Sequence, residues 1–164
     1  MSSHSYPSQP IPAEIHSVET LVHSALLDLL GAWKLIRGER TIPTAPREIL
    51  RHVKPLIKCL HLSEVVDGGA DFRFRLIGES VFPGLTEHQV GRLVSEHPDD
   101  GIRTRFTMLM RETHRTGRPI RGVSLRKTAD ERHDYRIESL WLPFGKGPAV
   151  EQILSMSILE PVTR

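Results

Sequence analysis

Between residues 60 and 161 the chain carries five stretches of strand-like patterning, and one segment of helical period divides them two against three. "LHLSEVV" (60–66) and "DFRFRLI" (71–77) come first; "PIRGVSLRK" (119–127), "DYRIESLWLPF" (134–144) and "EQILSMSILEP" (151–161) come last. Alternation of this kind suits strands with one buried face. The divider, "DDGIRTRFTMLMRETHRT" (99–116), repeats apolar residues at three- and four-residue steps. Because helices do not alternate with single strands, the pattern argues against a parallel sheet. It predicts an α+β domain: a five-stranded antiparallel sheet with helices on one face.

Local signals sharpen this plan. "DGG" (67–69) turns the first hairpin and "TADERH" (128–133) the second. In "DFRFRLIGES" (71–80), Phe72, Phe74 and Leu76 share one side of an extended chain, with Arg73, Arg75 and Ile77 on the other. The phenylalanines are expected in the core. Arg73 and Arg75 are expected on the outer sheet face, paired with Glu19 and Asp28 of the first helix or meeting a second subunit. In the dividing helix Ile102, Phe106, Leu109, Met110 and Thr113 should face inward, and Arg103, Arg105, Arg111 and Arg115 water. Asp99 and Asp100 suit its start, and "GRP" (117–119) its end.

Residues 1–16, rich in Ser and Pro, read as a flexible arm, 17–38 as an amphipathic helix, and 39–161 as the main domain. The helix begins at Ser17 as N-cap and stops at Gly38. Its stripe of Val22, Ala25, Leu26, Leu29, Trp33 and Ile36 either packs on the domain or meets a second copy. Leu26, Leu29, Trp33, Arg73 and Arg75 are therefore the candidate dimer interface. Pro55 limits a short helix in 41–58, and 79–98 reads as loops and short helical turns.

A chain of 164 residues is about one domain, and 22 basic against 20 acidic residues leave no strong global field. One cysteine, Cys59, leaves no internal disulfide, and no apolar run approaches the ~20 residues that span a bilayer. With no signal-peptide layout, a cytoplasmic protein without a membrane span is expected. Acidic residues interleave with the arginines and no aromatic stacking platform accompanies them, so nucleic acid is not expected as a partner.

The nine histidines include no His-x-x-x-His pair. His88, His97 and His114 are single candidates for a haem axial ligand, but one histidine is no motif, and no cofactor is predicted. Flavin photochemistry would need its thiol after the first hairpin, and Cys59 precedes it. "GKGP" (145–148) is too short for a phosphate-binding loop, and there is no Gly-x-Ser-x-Gly elbow. The remaining feature is apolar. Phe106, Met110, Leu125, Tyr135, Ile137, Trp141, Leu154 and Met156 either line a cavity for a small apolar ligand or make a filled core, and chain length favours filling.

Trp33 with "IRGER" (36–40) and Pro43, "DFRFRLIGES", "VGRLVSEHP" (90–98), "RETHRTGRPIR" (111–121), "RIESLWLP" (136–143) and "QILSMSILEP" (152–161) occur in an order that resembles PAS domains. The resemblance spans roughly 20–161 and is to short alphaproteobacterial PAS-like proteins with no fused output domain. "TAPREILRHVKP" (44–55) and "ESVFPGLTEHQV" (79–90) depart from that pattern. It implies a non-catalytic sensory or protein-interaction module of bacterial signalling, homodimeric and contacting other signalling proteins, and names no ligand. No kinase, cyclase or DNA-binding segment is expected after residue 161. The alternative from another class is a small cone-shaped α+β enzyme with a pocket His or Asp as general base.

Overall fold

The computed structural model describes residues 13–80, 84–127 and 134–162. Residues 1–12 of the expected arm, the Pro83 region and the "TADERH" turn lie outside the described residues. The fold is α+β: one antiparallel sheet in the order β1-β4-β5-β6-β2-β3. Its strands are β1 (Glu14–His16), β2 (Leu60–Val66), β3 (Asp71–Ile77), β4 (Ile120–Lys127), β5 (Asp134–Phe144) and β6 (Gln152–Val162). The helices are α1 (Ser24–Arg37), the single turn α2 (Arg47–Leu50) and α3 (Asp100–Thr116). Among the described residues no helix is long and apolar enough to cross a membrane.

Five strands fall where the patterning put them. The sixth, β1, pairs with β4 from within the segment expected to be an arm. Residues 18–20 then form a 3-10 turn capped by the Ser17 hydroxyl, and α1 begins only at Ser24, with the His23 ring accepting from the Ala25 amide. The N-cap chemistry of Ser17 is thus real but belongs to a shorter element. Gly38 ends α1 at φ 59°, as expected of a residue without Cβ strain.

The first hairpin turns through Asp67, Gly68 and Gly69, all at positive φ. At Gly69 a side chain would also strike His114, since an added Cβ would lie 2.7 Å from its Nδ1. Between Leu62 and Ser63 the register shifts: Leu62 opposes Leu76, whereas Ser63 opposes Phe74. Arg75 is the extra residue of a bulge, which reverses the facing of everything after it. Phe72 and Phe74 are buried as expected, but Leu76 turns outward and is 43% exposed.

Helices cover both faces of the sheet rather than one. α3 covers the face that carries Gly122, Ser139 and Trp141; a Cβ on Gly122 would lie 2.8 Å from a Leu109 methyl carbon. On the other face Leu60, Leu140, Leu142, Leu154 and Met156 are buried beneath α1. The tie of α1 is explicit: Trp33 Nε1 donates to the Pro143 carbonyl at 3.0 Å, and on that face Arg121 holds the preceding 3-10 turn by donating to Thr20 Oγ1 at 3.0 Å. Leu26, Leu29 and Trp33 are fully buried in this layer. Of the two options for the stripe, these residues cap the protein's own sheet.

The β3 edge is sealed by residues 91–93. Phe74 exchanges backbone bonds with this segment (Phe74 N to Arg92 O, 3.0 Å; Gly91 N to Phe74 O, 2.7 Å), and Arg73 donates to the Gly91 carbonyl at 2.8 Å. Arg75 pairs with Glu64 on the neighbouring strand. Neither arginine reaches Glu19 or Asp28. A bulge and a covering loop are ordinary ways of blunting a sheet edge.

Candidate functional site

The α3-covered face is built from small and polar residues. Strand parity assigns it Gly122 and Ser124 from β4, Ile137, Ser139 and Trp141 from β5, Ile153, Ser155 and Ser157 from β6, and His61 and Ser63 from β2. His61 stands directly opposite Ser155, which in turn opposes Trp141. Ser63 lies two residues further along the same face, beside Phe74.

Aromatic rings enclose His61. Phe106 from α3 stacks parallel to the imidazole with centroids 5.2 Å apart, and Trp141 meets it edge-on at 5.3 Å. Phe74 and Trp141 each pack edge-on to Phe106, at 6.3 and 5.2 Å. Trp141 Nε1 is satisfied by Ser139 Oγ at 2.8 Å. Neither ring nitrogen of His61 has a hydrogen-bond partner, nor has Ser63 Oγ or Ser155 Oγ, and all three residues are fully buried.

Burial, assisted by the positive charge of Arg105, lowers the His61 pKa from 6.5 to about 3. The imidazole is therefore neutral at physiological pH and offers one donor and one acceptor. A group with so low a pKa is too weak a base to take a proton near neutrality. The site can recognise hydrogen-bonding groups better than it can move protons.

Arg105 itself departs from its expected place in water. It follows Ile102 by three residues and precedes Leu109 by four, which puts it on the apolar stripe of α3, and it is buried with its guanidinium 5.5 Å from the Phe106 ring centroid. The other arginines of α3 are engaged within the chain. Arg103 pairs with Asp100, Arg111 donates to the Ala70 carbonyl at 2.9 Å, and Arg115 bonds Glu112, holding that carboxyl below its usual pKa. Together they line an open groove of about 710 Å³ beside Ile15.

The expected cavity-lining residues divide between the two faces. Phe106, Met110, Ile137 and Trp141 are buried on the α3 side, with half-buried Tyr135 at its margin. Leu154 and Met156 are one residue out of step with Ser155 and lie under α1 instead. Leu125 shares the α1 face with Arg136 and Glu160, and at 48% exposure it lines nothing enclosed. Strand parity, invisible when both halves of a strand contain apolar residues, accounts for these misplacements.

The three histidines weighed as axial ligands are also spread apart. His88 is exposed, and His114 is half-buried in the last turn of α3. His97 is buried with both nitrogens engaged, Nε2 with the Gly84 carbonyl at 2.8 Å and Nδ1 with the Asp99 amide at 3.0 Å, so it fastens a loop. His88 and His97 share only a groove of about 200 Å³. Among the described residues no three His, Cys, Asp or Glu side chains group as metal ligands.

His61, Ser63 and Ser155 were missed by the sequence reading. The available signal is the "LHLS" and "LSMS" alternation, in which the polar half of each strand turns out to face the interior. No protein-family model, curated protein or solved structure matches this chain.

Proposed function

We propose that the chain is a PAS-like sensory or protein-interaction module of bacterial signalling that holds a small molecule between its sheet and α3. The observation that carries this reading is the interior itself: polar side chains without protein partners, walled by Phe74, Phe106 and Trp141. Such a mixture of apolar walls and a few placed polar groups is the usual make-up of small-molecule sites. The strand plan of two plus three, with a long helix crossing the sheet, supports the resemblance to PAS domains. The weak basicity of His61 favours recognition over general-base catalysis.

Output would pass through protein contacts. A homodimeric contact through α1 would use its outward residues Leu27 and Leu35, the latter 67% exposed, rather than the buried stripe. Native mass spectrometry of the protein purified from its own source cells tests the reading. The expected result is a non-covalent small-molecule adduct, lost on gentle activation. An unliganded monomer throughout would contradict it.

A further inference from the structure

The interior beneath α3 carries hydrogen-bonding groups that the fold alone does not require. An unmet buried donor or acceptor is destabilising, and apolar residues of similar size would remove that cost. Here His61, Ser63 and Ser155 concentrate such groups in one patch: cross-strand neighbours at His61 and Ser155, and the next inward position at Ser63. Departures from a well-satisfied core that cluster in space are the usual mark of a site.

The chemistry of the patch defines what it fits. The neutral imidazole and the two hydroxyls each offer both a donor and an acceptor, and all three residues of the patch are uncharged. A cationic guest would meet the positive charge of Arg105 near His61, and an anionic one would lose its hydration beside an arginine that is already engaged within the chain. The His61 and Phe106 rings already stack on each other, 5.2 Å apart, and Trp141 meets His61 edge-on, so the patch suits only a small guest.

We propose that His61, Ser63 and Ser155 form an internal recognition site for a small, uncharged organic molecule bearing both a donor and an acceptor, of which an amide is the simplest example. This deepens the module reading and rests on it, with a polar guest in place of the apolar ligand that the sequence reading weighed against a filled core.

Three small probes discriminate: acetamide, its charged isostere acetate, and benzene. The readout is ¹⁵N NMR of the His61 ring nitrogens in the full chain. Acetamide is expected to shift them saturably while acetate and benzene do not, and the Ser63→Ala/Ser155→Ala variant should weaken acetamide binding about tenfold or more, the scale of one or two lost hydrogen bonds. Preference for acetate would make the patch an anion site, and response to benzene alone an apolar one. Contacts with water protons only, with no probe response, would make it a structural water site. Each of these overturns the proposal while leaving the module reading to the mass measurement. Should the double variant fail to fold, the ranking of the three probes on the unaltered protein still decides.

Discussion

The two faces of one sheet are packed on opposite principles. On the α1 side, Leu60, Leu140, Leu142, Leu154 and Met156 of the sheet and Leu26, Leu29 and Trp33 of the helix are all buried, a layer of large apolar side chains. Beneath α3, the same strands present His61, Ser63, Ser139, Ser155 and Gly122, and bulk comes from Phe74, Phe106 and Trp141. Fully burying a leucine or phenylalanine contributes about 1.5–3 kcal/mol, so the α1 face is a source of stability, although it also buries the Arg121–Glu138 ion pair. The α3 face gives up some of that stability for hydrogen-bonding groups. The contrast separates a mainly apolar face from one rich in small and hydroxyl-bearing side chains.

The sharpest way to break this contrast is to introduce charge on the supporting face. Leu26→Glu with Leu29→Glu buries two carboxylates without partners, a cost of several kcal/mol each against a typical domain stability of about 5–15 kcal/mol. Circular dichroism should show an unfolded chain. A folded variant with only its sedimentation changed would mean that the stripe serves a partner instead of the sheet.

Acid probes the other face. The unfolded chain takes up a proton at His61 near pH 6.5, the folded chain only near about 3, so the unfolded state binds more protons between these values and stability falls as pH drops through that window. The limit of this effect is about 5 kcal/mol. His61→Phe should flatten the pH dependence of denaturation below pH 6.5. An unchanged acid profile would mean that His61 is solvated or hydrogen-bonded in the folded protein. The smallest expected effect is at the exposed Arg75–Glu64 pair, where Arg75→Ala should change stability by no more than about 1 kcal/mol in urea denaturation. A larger loss would give the bulge a structural role beyond the ion pair.

Most elements were legible in the sequence because their signals are local. The "DGG" hairpin, the Asp99 cap, the Gly117 stop and the stripe Ile102, Phe106, Leu109, Met110 and Thr113 all act within a few residues of themselves. The facing of side chains was less legible. A single bulge residue, Arg75, reversed Leu76, and one-residue parity exchanged Ser155 for its neighbours Leu154 and Met156. The N-terminal segment looked like an arm because three strand residues carry almost no periodicity; only pairing with β4 reveals β1.

The candidate site was not legible for a related reason. His61 and Ser155 belong to strands far apart in the chain and become neighbours only when β2 pairs with β6. Each looks alone like a surface residue between two leucines or between Leu154 and Met156. Their burial follows from α3 crossing that face, a long-range event that no local spacing encodes.

The most direct measurement is equilibrium denaturation of the Ser63→Ala/Ser155→Ala variant without ligand. If these hydroxyls are buried without partners, removing them relieves an unmet hydrogen-bonding demand, and the midpoint should rise by an amount equivalent to about 1–3 kcal/mol. A fall of similar size would show that both hydroxyls are already bonded in the folded protein, and would contradict an interior kept polar for recognition.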